Sequence, residues 1–152
     1  AYVKARPVCK VVRFNMGDQK TDYEFTLHLV SKDDLQIRDN AIESARQTGN
    51  RLLEKTLGTT GYYFMARVYP HHVLRENPLA SGAGADRMST GMAHSFGKTM
   101  GIAAQVKKGK PLFTIKTSKE NLPIARLALK RASHRLPCST RVITEQKRTV
   151  AV

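Results

Sequence analysis

Residues 102–136 read IAAQVKKGKPLFTIKTSKENLPIARLALKRASHRL, and this stretch decides the fold class. Two β-rich runs, 102–106 and 112–117, flank Lys107-Lys108-Gly109-Lys110, so a hairpin is expected. A helix should follow at once. Thr117 and Glu120 have capping-box spacing, in which the threonine hydroxyl accepts from the Glu120 amide while Glu120 reaches back. At about 100° per residue, Leu122, Ala125, Ala128, Leu129, Ala132 and Leu136 share one arc. Lys119, Arg126, Lys130, Arg131, His134 and Arg135 take the opposite side. Ile124 and Leu127 interrupt that polar side and are expected to pack against a neighbouring strand.

Upstream, residues 8–15 and 23–30 are β-rich and separated by a turn at Met16-Gly17-Asp18. A first helix is expected over 34–57, with Leu35, Ile42, Ala45, Gly49, Leu52 and Leu53 on one stripe and Gly58 as its C-terminal cap. Glycine inside a helix costs about 1 kcal/mol against alanine, so Gly49 implies close packing against a sheet. Strands are expected at 62–69 and 72–76, kinked at Pro70, and one more after the second helix. Two helices on a mostly antiparallel sheet make an α+β fold, with all 152 residues in a single domain.

Between strands lies NPLASGAGADRMSTGMAHSFGKTMG, residues 77–101, with five of the ten glycines and no apolar periodicity. Such a segment buries too little to offset about 1–2 kcal/mol of backbone entropy per residue, which predicts a long mobile loop at about 78–101. It also marks a step in charge. Through Asp86 there are 12 basic and 10 acidic residues; from Arg87 onward there are 14 basic residues against only Glu120 and Glu145. Most of the net charge of +14 therefore sits in the second part of the chain. A surface this one-sided repels itself unless a polyanion lies against it, and nucleic acid is the first candidate. The second helix has no acid after Glu120, whereas a merely solvated face mixes signs, so phosphate contact is the better reading.

Other chemistries fit less well. SGAGAD and Gly97-Lys98-Thr99 lack the spacing of a nucleotide phosphate loop. His71 and His72 are adjacent, so on a strand they face opposite sides and cannot chelate one metal; packing or RNA stacking suits them. No nucleophile–base–acid spacing stands out, so neither catalytic residues, a metal nor a cofactor is expected. Cys9 and Cys138 fit no zinc spacing and read as reduced intracellular thiols. No run approaches the roughly 20 apolar residues of a membrane span, and no signal peptide is read at the start. A membrane-surface module would want tryptophan or leucine beside the basic face, and the chain has no tryptophan.

At this point particular strings become informative. RVYPHHVLREN, then GAGADRMSTGM, then FGK resemble the archaeal and eukaryotic branch of the large-subunit ribosomal protein family L-sixteen/L-ten-e. VRFNMGD, IRDNAIESARQTGNRLLEK and KRASHRLPC extend the similarity over most of the chain, in the family's order. The lack of a long C-terminal extension looks archaeal, and the N-terminal arm, from near Tyr2, looks shorter than usual. Ala93-His94 and Thr99 depart from the arginine and proline common there.

The resemblance implies an α/β-hammerhead type fold and a cytoplasmic place in the ribosome, on large-subunit rRNA beside the peptidyl-transferase centre. It also implies neighbouring ribosomal proteins as partners, and a glycine-rich loop that points toward tRNA and helps position it in the A site. The residues expected to meet rRNA are Lys4, Arg6, Arg13, His71, His72, Arg75, Lys107, Lys108, Lys110, Lys119, Arg126, Lys130, Arg131, Arg135 and Arg141. Those expected near tRNA are Ser81, Gly82, Gly84, Asp86, Arg87, Gly91, Gly97 and Lys98. The alternative from another class is a free-standing RNA-binding or RNA-processing factor.

Overall fold

Strand β2, Phe25–Ser31, alternates buried Phe25, Leu27 and Leu29 with half-buried Thr26 and His28, the period-two pattern of a sheet with one covered face. In the computed structural model, which describes residues 3–147 except 81, 85, 86, 88 and 90, this strand lies between two partners. The five-stranded antiparallel sheet runs β1-β4-β7-β2-β8, where β1 is Asn15–Gly17, β4 Tyr62–Ala66, β7 Pro111–Thr117 and β8 Thr140–Gln146. A second, three-stranded antiparallel sheet runs β3-β6-β5, with β3 Leu35–Arg38, β6 Lys98–Val106 and β5 His72–Glu76. Two long helices, α1 (Asp39–Leu57) and α2 (Leu122–Ser133), pack on the larger sheet and on each other. The α+β class is as expected from sequence; the division into two sheets is not.

The core forms where both helices meet the covered face. Ile42, Ala45, Gly49 and Leu53 of α1 and Ala125, Ala128, Leu129 and Ala132 of α2 are buried there. They meet Leu27, Leu29, Phe64, Phe113 and Ile115. Burying each large apolar side chain contributes about 1.5–3 kcal/mol. The small residues set the spacing: a Cβ on Gly49 would lie 3.2 Å from Phe64 Cζ and 3.7 Å from the Ala132 Cβ. Gly49 thus lets α1 approach both the sheet and α2. Gly58, at φ 71°, ends α1 with its N–H donating to the Glu54 carbonyl.

Several local expectations are corrected by long-range pairing. Residues 102–106 and 112–117 do not pair as a hairpin. The first run belongs to β6, whose neighbours are β3 and β5, and the second to β7, between β4 and β2. The lysine turn joins two sheets because the β2–β3 connection captures it: Gly109 N–H donates to the Ser31 carbonyl and Lys108 N–H to Asp34 Oδ1. The first helix begins at Asp39 instead of 34, because Leu35–Arg38 pair with Val106–Ala103. Leu35, assigned to the helical stripe, is therefore a strand residue.

Of residues 8–15 only Asn15 belongs to a strand, with the Phe14 carbonyl accepting from Ala66 N–H beside it, and the expected turn at Met16-Gly17 is strand β1 against β4. The strand expected over 62–69 stops at Ala66. Thr117 does not cap α2; it is buried, and its hydroxyl donates to the Gly61 carbonyl at 3.4 Å. A short 3-10 turn, Lys119–Asn121, precedes α2, which opens at Leu122 with Pro123 in its first turn. Of the two residues expected against a strand, Ile124 packs on the core while Leu127 stays 44% exposed.

Candidate nucleic-acid interface

The two helices leave a cleft between them on the surface facing away from the sheet. Its volume is about 960 Å³, and its walls carry Arg51 and Lys55 from α1, Arg131 from α2 and Arg135 from the turn that follows α2. Arg51 and Lys55 stand four residues apart, one turn up the same face of α1, and Arg131 and Arg135 have the same spacing across the end of α2. None of the four forms an ion pair among the described residues. The only carboxylate on that side of α1 with a strong partner is Glu43, which accepts from Arg46 Nε at 2.9 Å. That hydrogen bond holds the Glu43 carboxyl below its usual range. Four uncompensated cations facing one another are costly until a polyanion enters.

Arg135 also borders a second, adjoining cleft of about 430 Å³ with Arg38 and His134. The basic track thus continues toward the C-terminal end of α2. The remaining α2 cations divide away from it. Arg126 lies on the opposite flank, its Nη2 3.4 Å from Thr144 Oγ1 of β8, with Lys130 one turn further. Lys119 is exposed in the 3-10 turn before α2 and does not line the cleft.

A second basic cluster sits at the turn between β6 and β7. Lys107, Lys108 and Lys110 are all exposed there. Ser31 N–H donates to the Lys110 carbonyl and Lys32 N–H to the Ser139 carbonyl, which gathers Lys32 and the start of β8, with exposed Arg141, at the same end. The acids nearby are engaged: Asp34 accepts from Lys108 N–H and Asp33 from Ser139 N–H.

The glycine-rich segment is the connection of the β5–β6 hairpin. Arg75 pairs with Thr99 and Glu76 with Lys98 at the end of the ladder. The loop therefore spans residues 77–97, and Lys98 and Gly101, expected within it, lie in β6. At its root the Arg75 guanidinium stands 4.0 Å over the Phe96 ring, a cation–π contact. Gly97 is tight against the Glu76 backbone, where a Cβ would sit 2.7 Å from the carbonyl carbon. Gly82, Gly84 and Arg87 are exposed, and Gly91 is half-buried as the first residue of a 3-10 turn, Gly91–His94. Ser81 and Asp86 lie outside the described residues, as does Tyr2.

Among the other expected contacts, Lys4, Arg6, Arg13, His71 and His72 are exposed. Arg6 donates to the Tyr69 hydroxyl at 3.1 Å and lies over its ring, so the arm is held at the β4–β5 connection. His71 and His72 do not share a site: one ring meets the Tyr69 carbonyl, the other Gln105. No group of three or more His, Cys, Asp or Glu among the described residues could hold a metal ion. No described helix is long and apolar enough to cross a membrane. Cys9 and Cys138 are free, and burial pushes the Cys138 thiol up, away from thiolate reactivity.

Sequence reasoning missed Arg51 and Lys55, and with them the cleft. Gln47, Arg51 and Lys55 recur every four residues on the polar side of α1, which locally looks like an ordinary solvated face. Only the packing of α2 alongside makes it a wall.

The geometry defines an α+β protein with a cationic cleft between its helices, and the comparisons give its family. The sequence pattern of ribosomal protein L16p/L10e matches residues 1–143, and the chain belongs to that family. It is similar to large ribosomal subunit protein uL16 of Methanococcus aeolicus, 49% identical over 93% of this chain and 82% of the relative. The uL16 proteins of Methanocella arvoryzae and Archaeoglobus fulgidus are 45% and 40% identical over 95% of this chain, covering 84% and 83% of their lengths. Family membership makes the chain a structural constituent of the cytoplasmic ribosome, large-subunit in these archaeal relatives, and not an enzyme.

Proposed function

We propose that the chain binds large-subunit rRNA near the peptidyl-transferase centre, against neighbouring ribosomal proteins, and helps position A-site tRNA through residues 77–97. The observation that carries the RNA-binding part is the set of unpaired cations gathered by α1 and α2. Lysines of the β6–β7 turn and the arm residues Lys4, Arg6 and Arg13 extend the contact, releasing counterions as they meet phosphates. Recognition is of RNA shape, because A-form helices hide most base edges. Support for the tRNA part comes from the family and from the loop's design. Arg75 and Lys98 stand at its root, Arg87 and open-space Gly82 and Gly84 lie further out, and the ladder beneath it shifts register between Leu74 and Arg75 before ending at Glu76 and Lys98.

The test uses the full chain and large subunits depleted of it. Co-sedimentation should restore the chain to the particle, and affinity for stripped large-subunit rRNA should fall steeply with salt; a flat dependence refutes the RNA reading. Replacing residues 79–95 by a short Gly-Ser linker should leave the circular dichroism and incorporation intact but weaken A-site tRNA binding. Undiminished tRNA binding by such particles would refute the loop's role. Binding to free RNA without joining particles would favour a free-standing factor.

A further inference from the structure

The cleft between α1 and α2 carries more than charge. Arg51, Lys55, Arg131 and Arg135 supply only donors, which suits phosphate oxygens of any origin. Beside them, Gln47 and Thr48 line the same cleft with their acceptors turned free. The Thr48 hydroxyl gives its proton to the Ser44 carbonyl at 2.8 Å, so its lone pairs remain to accept. The Gln47 amide nitrogen donates to Glu43 Oε1 at 3.0 Å, which leaves its carbonyl oxygen unengaged. Glu43 is itself neutralised by Arg46 and does not repel an incoming anion.

From this arrangement the geometry points to a ribose-phosphate backbone as the occupant of the interhelical cleft, held through its phosphates by the four cations and through 2′-hydroxyls by Thr48 and Gln47. The inference deepens the rRNA-binding reading above and rests on it. A partner for this cleft must bring anionic oxygens and neutral O–H donors side by side. RNA does so at every nucleotide; DNA lacks the hydroxyl, and inorganic polyphosphate lacks it too. The volume of about 960 Å³ is at the upper end of the roughly 300–1,000 Å³ range of small-ligand sites, so it admits more than a single phosphate. Arg51 and Lys55 thereby become RNA contacts on a helix that local charge pattern alone assigns to solvent.

The test compares the full chain with three cleft variants and one control variant, using fluorescent stripped large-subunit rRNA and inorganic polyphosphate as probes. Arg51→Gln with Lys55→Gln should weaken rRNA binding several-fold and reduce the slope of log affinity against log salt by about 2, one per lost phosphate contact. Arg131→Gln with Arg135→Gln, from the opposite wall, should do the same. Thr48→Val should lower rRNA affinity while leaving polyphosphate binding unchanged. Lys20→Gln, an exposed lysine outside the cleft, is the control.

If wild-type protein binds rRNA but both charge pairs leave slope and affinity unaltered, the cleft is overturned while the broader rRNA reading stands. If Thr48→Val alters rRNA and polyphosphate binding alike, or neither, the ribose contact is overturned. Failure of the wild-type chain to bind rRNA at all overturns both readings.

Discussion

Two glycines four residues apart, Gly97 just before β6 and Gly101 within it, should respond to the same substitution with opposite sign. A Cβ built on Gly97 lies 2.7 Å from the Glu76 carbonyl carbon and 2.9 Å from its nitrogen and oxygen. Ordinary contact begins near 3.4 Å, so Gly97→Ala must push the backbone of Glu76 away by about 0.5–0.7 Å. That backbone cannot yield cheaply, because Glu76 pairs with Lys98 at the end of the β5–β6 ladder. Overpacking of this kind costs about 1–3 kcal/mol, against about 0.4–1 kcal/mol gained by restricting the unfolded chain. The net is a loss of roughly 1–2 kcal/mol, or about 2–8 °C in Tm for a domain of this size.

At Gly101 the nearest obstacle is Arg38 Nη2 at 3.3 Å, the far end of a flexible side chain. Gly101→Ala should therefore keep most of the unfolded-state gain and raise Tm by about 1–4 °C. Urea denaturation and calorimetry of both variants would measure the pair. If Gly97→Ala matches the wild type, or Gly101→Ala falls as far as Gly97→Ala, the close-approach argument is wrong.

Other expectations follow from buried groups. The Tyr62 hydroxyl donates to Asn50 Oδ1 at 2.7 Å, and burial, with the Glu54 charge second, pushes its phenol up to about 12. The neutral form is favoured in the folded state, so this contribution is whole below about pH 10 and is lost as pH rises toward 12. Tyr62→Phe should cost about 1 kcal/mol at pH 7, and urea midpoints should show the gap to wild type closing above pH 10; a constant gap to pH 12 would contradict this. Asp39, buried at the start of α1, accepts from the Lys10 and Asn40 backbone N–H groups. Asp39→Ala should lose about 1.5–3 kcal/mol and speed tryptic cleavage at Lys10 and Arg13; an unchanged digestion pattern would sever that link. Ala128→Leu, fully buried where α2 meets the sheet, should destabilise by about 1–3 kcal/mol through overpacking, read from the same denaturation curves.

The elements most legible in the sequence were those whose information is local and long. The α2 stripe of Ala125, Ala128, Leu129 and Ala132 repeats over several turns, and all four residues are buried. Gly58 terminates α1 as its position implied. Leu35 misled because a four-residue strand that alternates in period two also fits a helical phase. Thr117 misled because a capping box is read from spacing, while its register in β7 beside Phe25 and Tyr62 buries the hydroxyl. The candidate site divides in the same way. Arg131 and Arg135 stood out on a helix without acids after Glu120, whereas Arg51 and Lys55 carried no distinguishing local signal.

The sequence by itself determined the α+β class, both helices, the charge step and the glycine-rich connection, because these follow from composition and from periodicities within a few turns. Only the tertiary structure decided that the runs on either side of Lys107-Lys108-Gly109-Lys110 belong to different sheets, and that α1 and α2 lie side by side to make a cationic cleft. Strand pairing and helix docking are chosen by total burial over the whole chain. Ser31 and Asp34 capturing a turn more than 70 residues away is an outcome that no window of sequence contains.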